Sequence, residues 1–116
     1  MGSIAYDGTV IQFEDRVLTH LQIVIVQKFT KNESFLMSWK DSNAVGDGRG
    51  SIWLSPSLPL YFKFLGSKVP NVNREWLLEL GKSADSSTGL IVTEESGQLA
   101  QANDAGPSRY PGDTSA

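Results

Sequence analysis

The chain has 116 residues, 40% of them hydrophobic, a formal net charge of −3 and no cysteine. That length suits one domain with one core, and the lack of cysteine excludes disulfides, thiolate metal sites and thiol catalysis and fits a reducing compartment. The longest apolar run, Ile23 to Val26, is far short of the roughly 20 residues of a membrane span, so a soluble, cytoplasmic protein with no membrane partner is expected.

The charge is unevenly placed. Residues 1–93 hold nine Lys/Arg against nine Asp/Glu, whereas the rest holds Arg109 against Glu94, Glu95, Asp104 and Asp113. A neutral body exerts no general pull on nucleic-acid phosphates, the main source of non-specific binding.

In chain order, Ile4 to Tyr6 and Val10 to Phe13 flank Asp7-Gly8, a strong hairpin signal. Val17, Leu18, Leu21, Val24, Ile25 and Phe29 recur at helical spacing, with Glu14 and Asp15 at the start and Lys28 and Lys31 at the end. The β-branched run LQIVIV would also suit a buried strand; length and charge placement decide for a helix. Phe35, Met37 and Trp39, then Ile52 and Leu54, then Leu60, Phe62 and Phe64 alternate with other residues at strand period and read as a three-stranded meander. Asn73 can cap a second helix whose buried face is Trp76, Leu77, Leu80 and Ala84. Gly89 suits its exit, and Leu90 to Thr93 gives a last strand. After Thr93 the chain turns to Ser, Gly, Gln, Ala, Asn, Asp and Pro, too polar to offset its ordering entropy.

The expected fold is therefore α+β: a small antiparallel sheet in the order ββαβββαβ with two helices on one face. The domain spans 1–94, and 95–116 forms a disordered acidic tail.

Chemistry is sparse. His20 is the one histidine; it falls away from Leu18, Leu21 and Ile25 on the helix and reads as a surface or edge residue, without converging metal ligands. Gly48, Arg49 and Gly50 could turn N–H groups and a guanidinium toward an anion, although the Gly-Lys-Ser/Thr ending of a phosphate loop is missing. Gly66-Ser67-Lys68 before the second helix is a second anion candidate. For both, a plain turn is the stronger reading. No catalytic residue, cofactor or metal is expected, and the protein reads as a non-enzyme.

If the core face holds Ile52, Leu54, Leu60, Phe62 and Phe64, then Trp53, Tyr61, Lys63 and Lys40 share the opposite face. Lys68 and Arg74 extend an acid-free stretch from Leu60 to Arg74. Three readings of this surface rank in order: a homo-oligomer or protein contact, ordinary half-exposed strand residues, and a weak single-strand nucleic-acid platform that stacks bases on aromatic rings.

The segments YDG (6–8), DRVLTHLQIVI (15–25), ESF (33–35), GDGRGSIWLSPSLPLYFKFLGS (46–67), NREWL (73–77) and SSTGL (86–90) resemble a family of short proteins of unknown function from high-GC Gram-positive bacteria. Its members are often labelled ATP-dependent DNA ligases, and the resemblance implies that label. A ligase of that type uses a nucleophilic Lys in Lys-x-Asp-Gly. No Lys stands in that register before Asp7-Gly8 or Asp47-Gly48, so autonomous adenylation is not expected. An accessory role in DNA transactions remains the alternative to a self-associating interaction domain.

Overall fold

The computed structural model describes residues 2–41 and 48–107, with side-chain placement through residue 102. Strands β1 (Gly2–Tyr6) and β2 (Thr9–Phe13) form the expected hairpin. Asp7 and Gly8 both take positive φ, 48° and 83°, the twist that lets a two-residue turn match its flanking strands. Tyr6 then pairs with Thr9 and Ile4 with Ile11.

The segment that could have been strand or helix is a helix, α1 (Asp15–Thr30). It ends in a left-handed Asn32 (φ 58°), with Glu33 N–H bonded to the Lys28 carbonyl and Asn32 N–H to that of Phe29. This closure satisfies the last free carbonyls of the helix. Helix α2 (Arg74–Ala84) starts as expected, with the Asn73 side chain accepting the Trp76 N–H at 3.2 Å.

Strands β3 (Phe35–Asp41) and β4 (Arg49–Leu54) form a second hairpin, Phe35 opposite Leu54 and Lys40 opposite Arg49. The expected meander stops there. Strand β5 (Leu60–Lys63) crosses to β1 and pairs antiparallel with it, Ile4 opposite Phe62. Tyr6 holds the crossing: its hydroxyl accepts the Ser55 N–H at 2.8 Å and donates to the Ser55 carbonyl at 3.3 Å.

The chain returns through β6 (Leu90–Ile91), parallel to β3, and a turn closed by a bridge between Thr93 and Leu99. It then enters β7 (Gln101–Pro107), parallel to β3 on one side and antiparallel to β2 on the other. The sheet order is β4-β3-β7-β2-β1-β5, with β6 also on β3. The ordered chain thus runs past the boundary expected at residue 94, because residues 95–102 carry a turn, a bridge and the buried Ala100 and Ala102. The rest of the expected tail, 108–116, lies outside the described residues.

Residues paired across strands share a face. Ile4, Tyr6, Ile11, Phe13, Phe35, Met37, Trp39 and Leu54 form one buried cluster with Leu18, Leu21 and Ile25 of α1 and Trp76, Leu80 and Ala84 of α2. Both helices therefore cover the same face, giving an α+β fold. Among the described residues, no helix is long and apolar enough to cross a membrane.

Candidate functional site

Two regions concentrate polar or exposed aromatic groups. The first lies where α1, the entry to α2 and the turn after β6 meet. His20 is fully buried there. Its ring stacks on Trp76, with centroids 4.2 Å apart at 29°. Nδ1 lies 2.8 Å from the Arg16 carbonyl, and Nε2 accepts the Asn73 N–H at 2.9 Å. A carbonyl can only accept and a backbone N–H only donate, so this geometry fixes the neutral tautomer protonated on Nδ1.

The expected surface placement of His20 is thus corrected. Helix α2 packs on a second flank of α1, and the buried stripe is wider than contact with one sheet face requires. With both nitrogens engaged, the imidazole serves as a structural link between the helices.

Around it, Arg16 donates through Nη1 to the Asn71 carbonyl at 2.7 Å, through Nη2 to Glu95 Oε2 at 2.8 Å and through Nε to Glu95 Oε1. Asn73 Nδ2 donates to Glu95 Oε2 at 2.9 Å. These donors, Arg16 first and Asn73 second, depress the Glu95 carboxyl from 4.5 to about 2. Trp76 Nε1–H donates to the Thr93 carbonyl at 3.0 Å. A cleft of about 300 Å³ opens beside this network, lined by Glu14, Arg16, Val17, Trp76, Glu94, Glu95 and Ser96. The sequence held only one sign of it, the Asn73 cap; the pairing of Arg16 with Glu95 joins residues 79 apart.

Both anion candidates change meaning. Gly66 N–H already donates to Asp15 Oδ2 at 2.8 Å and Leu65 N–H to Oδ1 at 3.2 Å, so the protein's own carboxylate takes that position. Those donors, Gly66 foremost, lower the Asp15 pKa. Ser67 and Lys68 follow as exposed bends. In the other candidate, Arg49 and Gly50 are strand residues and Gly48 is in register with Asp41, whose N–H it receives at 2.9 Å. A Cβ on Gly50 would sit 2.6 Å from the Trp39 indole, so the glycine makes room for a core ring. Asp47 lies outside the described residues.

The second region is the sheet face away from the helices. Trp53, 60% exposed, pairs with Leu36, and Tyr61, 47% exposed, pairs with Ala5. Lys63 pairs with Ser3 and Lys40 with Arg49. All lie on the outward face, as expected, but the strand order splits them. Tyr61 and Lys63 occupy β5 at one edge, and Trp53 occupies β4 at the other. Five strand spacings of about 4.8 Å put the two groups some 24 Å apart. Arg74 opens α2 and is exposed, apart from both. The structure therefore brings together Lys40, Arg49 and Trp53 on the β3–β4 hairpin and sets Tyr61 with Lys63 elsewhere.

On the far flank of α1, Lys28 is nearly buried and donates to Asp85 at 2.9 Å, with Glu33 at 3.5 Å and the Phe35 ring 5.8 Å away. The Asp85 bond chiefly raises its pKa. Among the described residues, no group of three or more His, Cys, Asp or Glu could hold a metal ion.

Fold and site together define a small α+β domain in which His20 and Lys28 of α1 bond to the two ends of α2 and Arg16 to Glu95. A domain family described as "Domain of unknown function (DUF7882)" matches residues 1–95, and the chain belongs to that family. The match ends at Glu95, the residue that closes the Arg16 network. Neither a curated protein nor a solved structure matches the chain.

Proposed function

We propose that this domain acts through its surface, by association with a second copy of itself, and not by catalysis. One observation carries the reading: Trp53 presents 60% of its surface to solvent on a strand that is paired on one side only among the described residues. Large aromatic side chains are enriched in protein contacts. Val26, 47% exposed on α1, adds to the apolar surface. The polar groups that could have supported chemistry point the same way: His20 has both nitrogens engaged in backbone bonds.

Sedimentation velocity or light scattering at micromolar concentration tests this reading. A dimer or larger species that dissociates on dilution is expected, and a strictly monomeric protein removes the proposal. Incubation with labelled ATP and a divalent ion is expected to leave no covalent lysine adenylate. A stable one would restore the ligase reading, with Lys40, the one Lys followed directly by Asp, as the first residue to replace.

A further inference from the structure

The two edges of the sheet are built differently. Strand β5 is four residues long, with Pro59 just before it and Lys63 as its last residue. Short length, Pro and Lys are devices that keep an edge from pairing with another chain. Strand β4, Arg49–Leu54, has six residues, no Pro and one charge at its first position. Among the described residues it is hydrogen-bonded only to β3.

The direction of its outer groups follows from one bond. Gly48 accepts the Asp41 N–H, so Gly48 turns toward β3. Backbone groups alternate sides along a strand. Gly50, Ile52 and Leu54 therefore also face β3, while Arg49, Ser51 and Trp53 point their N–H and C=O groups outward. The side chains of these same three residues stand on the face away from the helices.

We infer that two copies of the chain join edge to edge through antiparallel β4 strands, with Ser51 opposite Ser51 of the second copy on the two-fold axis. This inference rests on the self-association proposed above and specifies its interface. The register is selected by the residues. Centred on Ser51, all three outward residues form reciprocal pairs, Ser51 with Ser51 and Arg49 with Trp53 in both directions, for about six hydrogen bonds. Centred on Ile52, the outermost pair would be Arg49 with Ser55, whose N–H is already given to Tyr6.

The Ser51 register also suits the side chains. Arg49 stands opposite Lys40 within its own sheet, an unfavourable like-charge pair. In the dimer its guanidinium meets the exposed indole of Trp53 from the other copy, a cation–π contact, at both ends of the interface. On the helix-facing side, Gly50 opposite Ile52 leaves room for the larger side chain.

The cysteine-free chain gives a clean cross-linking background. A directly hydrogen-bonded antiparallel pair has its Cα atoms about 5.5 Å apart, inside the roughly 4.4–6.8 Å range of disulfides. Full-length protein carrying Ser51→Cys is expected to form a disulfide-linked dimer under mild oxidation, and Lys63→Cys on the opposite edge is not. Ser51→Pro deletes an outward N–H and the side-chain bond to Ser38 while leaving the backbone bonds to β3 in place, and is expected to raise the dimer Kd at least tenfold with unchanged far-UV circular dichroism. The double exchange Arg49→Trp with Trp53→Arg restores the paired contact and is expected to associate more tightly than either single variant. If the wild type associates while Ser51→Cys cross-links no faster than Lys63→Cys and the double exchange brings no recovery, this interface is wrong and self-association stands. A wild type that stays monomeric overturns both.

Discussion

Glu95 shows how one exposed side chain can hold three segments in place. Its carboxylate receives Arg16 from α1 and Asn73 from the α2 cap, and its pKa of about 2 lies below the ordinary 4.5. A group whose pKa is depressed by folding contributes stability above its unfolded value and loses it as pH falls through the folded one. The wild type is therefore expected to lose stability between about pH 4.5 and 2 more steeply than Glu95→Gln, as read from urea midpoints across that range. Parallel curves would mean that the pair is not formed in solution. Asp15 and Asp85, also lowered by their partners, contribute in the same direction and remain in both proteins. Asn73 does two things at once, capping α2 and binding Glu95. Asn73→Ala is expected to cost about 1 kcal/mol for the cap and also to raise the Glu95 pKa, which NMR titration of the Glu95 carboxyl carbon would show. None of this coupling was legible from spacing, because Arg16, Asn73 and Glu95 meet only once α2 lies on α1.

At the scale of elements, the sequence was clearest where one local cause decides the outcome. Asp7-Gly8 sets a tight turn by accepting positive φ, Asn73 caps a helix with its own side chain, and segment length with acidic residues at the start and lysines at the end outweighs a β-branched run. Alternation told which residues of β3, β4 and β5 face the core, and the burial of Phe35, Met37 and Leu54 agrees. It could not tell which strand pairs with which, since any neighbour of matching parity satisfies the same pattern. That is why a meander was expected where β5 crosses to β1, and why the aromatic and basic residues of the outward face proved to lie at two edges. Gly50 is a case where a residue read as loop chemistry serves packing. Gly50→Ala would drive a Cβ to within 2.6 Å of Trp39 atoms, an overpacking strain expected to cost about 1–3 kcal/mol. Differential scanning calorimetry checks it, and an unchanged Tm would mean that the indole can move aside.

For the whole molecule the decisive element is the one composition concealed. QANDAGP, the sequence of β7, is made mostly of residues depleted in strands. It nevertheless sits between β3 and β2, with partners on both sides. Without it the strands fall into two groups, β5-β1-β2 and β4-β3-β6, linked through the helices and their shared core. Tertiary placement here overrides weak propensity: Ala102 is fully buried beside β3, and Ala100 accepts the Lys40 N–H at 3.0 Å. The chain ended at Ala100 is accordingly expected to lose several kcal/mol, a large share of the roughly 5–15 kcal/mol available to a domain of ordinary stability. The chain ended at Pro107, which keeps β7 whole, is the reference. Hydrogen exchange gives the sharper readout: amides of β2 and β3 that face the seam should lose protection on truncation, and the Lys40 amide, whose acceptor at Ala100 would become the chain terminus, should be among the first. Equal stability of the two truncations, with β2 and β3 protection unchanged, would show that each half closes without the seam strand. The core shared by α1 and α2, together with the Tyr6–Ser55 hydrogen bonds, would then join the two groups of strands.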